Sequence, residues 1–289
     1  MQTLRYWDYY GMTETFMDLY DRATKQESFK YLYDIITSRE NILLSYRTIK
    51  SNKGSKTPGT DGKTIIDIEK LSENELVTEI QNKLKNYRPK KVRRKLIEKD
   101  NGKLRPLGIP CILDRIIQQS FKQVLEPIVE AQLYNHSYGF RPLRSTHHAM
   151  ARVQFLINQA SLHYVVDIDI KGFFDNINHA LLIKQLWNLG IQDKMVLACI
   201  AKMLKAEIDG EGIPTKGVPQ GGLLSPLLSN VVLNDLDQWV ANQWEFFPLT
   251  KPFKSRVGEL LAKKRTNLKE GYLVRYADDC VPRKQPKCA

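Results

Sequence analysis

Three features of this 289-residue sequence predict an α+β fold. Amphipathic helical stretches occupy most of the chain. Two β-leaning regions, 88–110 and 271–281, have the form of antiparallel hairpins, and one strand-like run, 164–170, stands apart from both. Apolar residues make up 42% of the chain, enough for one substantial core or two subdomains sharing one, and too many for an intrinsically disordered chain. The formal charge is +12, from 44 Lys and Arg against 32 Asp and Glu, a field that attracts polyanions such as nucleic acid or an anionic membrane surface. Insertion into a bilayer is not expected, because no run approaches the roughly 20 consecutive apolar residues of a spanning helix. The start, "MQTLRYWDYYGMTETF", lacks the basic and apolar blocks of a secretory signal, so a cytoplasmic protein is expected. Cys111, Cys199, Cys280 and Cys288 form no C-x-x-C pair, which argues against a zinc ribbon or disulfide framework and for reduced thiols.

Along the chain, residues 1–36 set aromatic residues on a polar background, with Leu19, Leu32, Ile35 and Ile36 spaced for short amphipathic helices packed on the body. "SNKGSKTPGTDGKTI" is a loop whose Gly59 and Gly62 are turn residues, and its spacing does not fit a phosphate-binding P-loop. A helix with Ser72 or Asn74 near its start follows. "YRPKKVRRKLIEKDNGKLRPLGIP" reads as a hairpin turning at Asp100, Asn101 and Gly102. Nine Lys or Arg against two acids give residues 88–105 a net +7 (nine minus two). A Lys-protected sheet edge is one account of that charge. The other is an aliphatic face held down while the cations reach phosphates. An amphipathic helix follows from Ile112, which Pro127 is expected to kink or end, then another capped near Ser145 or Thr146. His147 and His148 are adjacent and face different ways, which argues against a metal pair.

The chemistry concentrates in three stretches. In Tyr164–Ile170 the two-residue period sets Val166, Ile168 and Ile170 on one face and Val165, Asp167 and Asp169 on the other. Leu273, Val274 and Tyr276 lead to the adjacent Asp278 and Asp279, an acid-tipped hairpin in prospect. Like charges so placed repel unless cations neutralise them, and carboxylate oxygens without His or Cys suit hard Mg²⁺ or Mn²⁺ rather than zinc. If the two acid clusters meet, they suit two-metal phosphoryl transfer. Between them, Pro219-Gln220-Gly221-Gly222 is a turn into a helix, either an ordinary helix start or a close approach of backbone to ligand.

"DIDIKGFFDNINH", "GVPQGGLLSPLLSN" and "YADD", in this order, resemble palm motifs A, B and C of reverse transcriptases, most closely those encoded by bacterial group II introns. "KLRPLGIP" resembles the family's fingers motif, "SYGFRPLRSTHHA" an insertion of intron-encoded members, and "NILLSYRTIKSNKGSKTPGTDG" its N-terminal extension. The resemblance, covering about residues 40–280, implies a right-hand polymerase fold with a helical extension over 1–36, fingers over 37–160 with the basic hairpin 88–110, and palm over 161–289.

It further implies catalytic carboxylates Asp169, Asp278 and Asp279, with the Ile170 carbonyl completing a metal site for Mg²⁺ or, in its place, Mn²⁺. Arg93, Lys99 and Arg105 would grip the incoming triphosphate, with Gln220 and Gly221 against nucleotide and template. Phe174 would be the steric gate excluding a ribose 2′-OH, with Phe173 the competing assignment, turned coreward by strand alternation. Lys90, Lys91, Arg94, Lys95 and Arg141 are the candidate RNA contacts. The implied partners are intron RNA, an RNA template with a DNA primer, and dNTPs.

Ten residues follow Asp279, and the run "VPRKQPKCA" suits a return strand poorly because Pro282 has no N–H, so a fingers–palm portion without thumb is expected. The expected activity is RNA-directed DNA synthesis. RNA binding as a splicing maturase is the alternative, and a homodimer through apolar surface that a thumb would cover is a third reading.

Overall fold

The computed structural model describes residues 2–98, 102, 104–160, 162, 164–219, 221–249 and 252–284. In chain order these form α1 (Gln2–Tyr9), α2 (Thr13–Thr24), α3 (Leu32–Thr37), α4 (Arg39–Ser51), α5 (Ile65–Ile68), α6 (Glu73–Lys85), β1 (Arg93–Glu98), β2 (Leu104–Ile109) and α7 (Ile112–Glu130). They continue as α8 (Thr146–Asn158), β3 (Tyr164–Val165), α9 (Phe173–Asn176), α10 (His179–Asn188), α11 (Lys194–Leu204), α12 (Ser225–Asn242), α13 (Arg256–Lys264), β4 (Gly271–Tyr276) and β5 (Asp279–Lys284). The chain divides into two compact units, one of residues 1–132 with 174–229 and one of residues 133–173 with 230–289.

The first unit is built around α7. This helix is buried nearly all round, its polar Asp114, Arg115, Gln118, Gln119, Ser120 and Gln123 included, and α2, α3 and α4 pack on it. Ile112, Ile116, Ile117, Phe121, Val124, Leu125 and Ile128 meet Phe16, Leu19, Ile36, Ile42 and Leu44 in the buried core. The buried amides are satisfied: Asn41 donates to the carbonyls of Ile36 (2.9 Å) and Ser120 (3.1 Å), and Gln123 donates to the Asn41 amide oxygen (2.6 Å). Leaving one such group unpaired would cost about 1–3 kcal/mol. Pro127 does not end α7, for it lies within the last turn, and the helix runs on to Glu130 with Ala131 N–H still reaching the Pro127 carbonyl. So near the end, only one helical donor is forfeited.

Ser72 caps α6, its hydroxyl accepting from Glu75 N–H while the Glu75 carboxylate accepts from Ser72 N–H. The basic hairpin forms as expected, β1 pairing antiparallel with β2 from Arg93↔Ile109 to Glu98↔Leu104. Its aliphatic face is not held down, however: Leu96, Ile97 and Leu104 are 56%, 43% and 59% exposed. Only the base, at Val92 and Ile109, is buried, because the ribbon extends past the helices that could cover it.

In the second unit the sheet order is β3-β5-β4, all antiparallel. The alternation of β4 drives its packing. Val274 joins Tyr138, Ala149, Leu156 and Leu162 on one side, and Leu273 joins Tyr134 and Ala241 on the other. Two expectations are corrected here. Residues 279–284 do form a return strand, β5, paired from Tyr276↔Asp279 to Gly271↔Lys284, because a tight turn and five further pairs outweigh the one donor that Pro282 lacks. Conversely, the strand expected over 164–170 is only Tyr164–Val165, opposite Lys284 and Arg283. The next partner in that register is Pro282, which has no N–H to give, and the ladder stops there.

Cys111 and Cys199 are buried free thiols. Among the described residues no helix is long and apolar enough to cross a membrane.

Candidate functional site

The Asp278-Asp279 pair sits on a hairpin with a two-residue loop. Tyr276 pairs with Asp279, which leaves Ala277 and Asp278 at the turn, and Ala277 takes φ +58, a left-handed conformation usually given to glycine. Such a position costs an L-residue about 1–2 kcal/mol, so the surroundings must hold it. They do so at two points. Gly139 lies so close that a Cβ built on it would stand 2.1 Å from Ala277 N, and Arg275 Nη1 donates to the Ala277 carbonyl at 2.7 Å.

Arg275 is itself fully buried, on the strand just before the turn. Its guanidinium donates to the equally buried Asp237 through Nε (2.8 Å) and Nη2 (2.6 Å), and Nη1 also donates to the Asn230 side-chain oxygen at 3.0 Å. Asn230 in turn donates to the Gly139 carbonyl at 2.9 Å, closing a ring around the turn. Burial pushes Asp237 above the usual carboxylate range, while Arg275 beside it pulls the other way. Removing either partner would strand a buried charge at a cost of about 3–5 kcal/mol. Sequence reasoning missed Gly139, Asn230, Asp237 and Arg275. The available signal was a guanidinium inside the apolar run "GYLVRY".

Asp279 is exposed at this tip, and its carboxyl is raised above the ordinary range, first by what burial it has and then by repulsion from Asp278, Asp169 and Asp167. Acids from two distant stretches thus share one electrostatic neighbourhood, and Asp167 joins the three expected from the sequence. Among the described residues no three metal-ligating groups converge into a ready-made cage. The residues nonetheless fit a hard divalent ion: the donors are oxygens only, and their mutual repulsion is what a cation relieves. The Ile170 carbonyl accepts the Phe173 N–H at 3.2 Å, which occupies one of its two lone pairs.

In the first unit, Gly221 has φ +105, and a Cβ there would stand 2.5 Å from the Gly108 carbonyl oxygen of β2. Leu223 N–H donates to the Gln118 side chain at 3.0 Å and Ser225 Oγ to the Pro219 carbonyl at 2.7 Å, fixing the turn. Phe173 and Phe174 begin the short helix α9 rather than continuing a strand. Phe173 is buried and Phe174 half-buried, so helical rather than strand geometry separates them. Arg93 is half-buried, with its Nε lacking any hydrogen-bond partner. Lys99 and Gln220 lie outside the described residues. Arg105 pairs with Ile97 through β2, its side chain likewise outside the description.

The candidate RNA contacts divide. Lys90 is paired with Asp61 (3.1 Å), Lys91 with Glu207 (2.8 Å) and Arg94 with Glu211 (2.6 and 2.5 Å), while Lys95 is exposed. Arg141 is corrected: it is buried, and its guanidinium donates to the carbonyls of Tyr134 (2.7 Å) and Ser137 (2.8 Å), so it braces its own loop instead of facing RNA.

An acid-tipped hairpin beside a second acidic stretch, with a basic ribbon elsewhere in the chain, is consistent with the fingers and palm region of a right-hand polymerase fold. The chain belongs to the reverse transcriptase (RNA-dependent DNA polymerase) family, whose sequence profile matches residues 97–282. Reverse transcriptases of this family generally use divalent metal ions. The chain is 38% identical over 206 residues to Protein YkfC of Escherichia coli (strain K12), covering 68% of this chain and 54% of that one. It is 41% identical over 202 residues to the group II intron-encoded protein LtrA of Lactococcus lactis subsp. cremoris, covering 68% of this chain and 33% of that one. Among solved structures, a chain of the partial Cas6-RT-Cas1–Cas2 complex is similar with a TM-score of 0.49 and 22% identity, over 89% of this chain and 39% of that chain. The chain therefore spans about half the length of YkfC and a third of LtrA.

Proposed function

We propose that this chain acts as an RNA-directed DNA polymerase on intron RNA, extending a primer 3′-OH with deoxynucleoside triphosphates. The 3′-oxygen bonds to the α-phosphorus, the bond to pyrophosphate breaks, and the hydroxyl proton is lost. The observation that supports this reading is that Asp278, Asp169 and Asp167 all lie near enough to Asp279 to add to the burial that raises its carboxyl, so acids of both stretches share one electrostatic neighbourhood. Asp169, Asp278 and Asp279, with the second lone pair of the Ile170 carbonyl, are the residues that would hold Mg²⁺, or Mn²⁺ in its place. Bound there, the ion supplies acidification of the attacking hydroxyl and charge neutralisation at the phosphate.

The chain's own part is to orient. The unpartnered Arg93 Nε supports its role on the triphosphate, the role also proposed for Lys99 and Arg105. Gly221, where no side chain fits, supports a flat surface against nucleotide and template, together with Gln220. The burial of Phe173 supports Phe174 as the gate against a 2′-OH.

Primer extension on an RNA template with Mg²⁺ tests the reading. Asp278→Ala is expected to lower the rate at least about a hundredfold, the scale of losing one electrostatic stabiliser of a transition state. Equal rates in the two proteins would refute it. The net charge of +12 supports a second reading, RNA binding as a maturase. RNA affinity retained in the same variant would accord with that reading.

A further inference from the structure

Three of the nine cations of residues 88–105, Lys90, Lys91 and Arg94, are committed within the molecule. Val92 N–H donates to the Glu207 carbonyl at 2.8 Å and Asp209 N–H to the Val92 carbonyl at 2.9 Å, so residues 207–211 lie along the hairpin's base as a strap. From this strap Glu207 holds Lys91, and Glu211 holds Arg94 through two bonds. Asp61 holds Lys90 from the preceding loop.

Beside the strap, in the same unit, lies a cleft of about 520 Å³ lined by Ala201, Ala206 and Ile213, by Glu207 in its pair with Lys91, and by the cations Arg88, Lys202 and Lys205. All three cations are exposed, and among the described residues none has a carboxylate within ion-pair distance. Lys202 and Lys205 stand at the end of α11, but a helix C-terminus offers only about half a negative charge, less than these two cations supply.

We infer that this cleft, rather than the paired cations Lys90, Lys91 and Arg94, carries the phosphate backbone of bound RNA. Resting on the proposed RNA-binding function, the inference assigns the surface on which that binding occurs. A cation already held by a carboxylate must give up that partner before it can replace a counterion on a phosphate, so Lys90, Lys91 and Arg94 add little to counterion release. Arg88, Lys202 and Lys205 give up nothing.

The test is fluorescence anisotropy of a labelled single-stranded RNA oligonucleotide, titrated at several KCl concentrations. The groove variant R88Q/K202Q/K205Q is expected to make the slope of log affinity against log salt shallower by about 2, at roughly 0.7 per phosphate contact. The hairpin variant K90Q/K91Q/R94Q is expected to change the slope by less than a third of that. E211Q, which frees Arg94 and does not line the cleft, is expected to steepen it. The charge-preserving R88K/K202R/K205R should keep the wild-type slope, which separates lost charge from lost fold. A wild-type slope in the groove variant, with the loss appearing in the hairpin variant, would overturn the inference while leaving RNA binding intact. No binding by the wild-type chain would instead remove the RNA-binding function itself.

Discussion

Asp279 shows how a single carboxyl reports the arrangement of its neighbours. Its proton affinity is raised in the folded chain by burial and by three nearby acids. Stability from this group is therefore complete below the unfolded carboxylate pKa, about 3.9, and is lost as pH rises through the higher folded value. At neutral pH the ionised Asp279 works against the fold. With EDTA present, Asp279→Asn is expected to raise the thermal midpoint at about pH 7 and to leave it unchanged at about pH 3, where the wild-type group is already protonated. Added Mg²⁺ is expected to raise the wild-type midpoint more than that of the variant, because the ion neutralises a repulsion the variant has already reduced. A variant less stable than wild type at neutral pH would show that repulsion does not govern this tip.

The β4–β5 hairpin shows the same dependence at the level of an element. The left-handed Ala277 is tolerated because Gly139 presses its bare Cα against the turn and because Arg275, Asn230 and Asp237 bond around it. Gly139→Ala is expected to destabilise the chain by about 1–3 kcal/mol, the usual cost of forcing extra volume into a packed site, and to shift the urea midpoint downward. Gly54→Ala, where a Cβ meets nothing within 4 Å, is the control and should leave the midpoint nearly unchanged. Similar midpoints for both variants would mean that the turn adjusts freely.

Much of this element was legible in the sequence: the apolar run, the acid tip and the hairpin. So were the amphipathic helices, the Ser72 cap and the antiparallel pairing of the basic hairpin. The return strand and the short β3 were misjudged because both depend on which residue opposes Pro282, and register across a sheet is not a local property. The clasp around Arg275 was unreadable for a related reason, since its partners Asp237 and Asn230 lie 38 and 45 residues away. Lys90, Lys91 and Arg94 looked available for phosphate for the same cause, because their partners Asp61, Glu207 and Glu211 come from other segments.

At the scale of the whole molecule the excess of twelve positive charges acts on folding and on binding in opposite directions. Self-repulsion destabilises the compact state, whereas the same field draws in polyanions. Salt weakens both effects, since the Debye length falls from about 30 Å at 0.01 M to about 10 Å at 0.1 M. Raising KCl across that range without RNA is expected to increase the thermal midpoint by roughly 1–3 °C, the shift that a fraction of 1 kcal/mol produces in a chain of this size. RNA affinity should fall at least about tenfold over the same range, as displacement of several counterions requires. Differential scanning fluorimetry and RNA anisotropy on one preparation measure the two trends. A midpoint that falls with salt would mean that specific ion pairs, Arg94–Glu211 and Lys91–Glu207 among them, outweigh the net repulsion. E211Q should then reverse that trend, since it removes the best-formed of these pairs while raising the net charge.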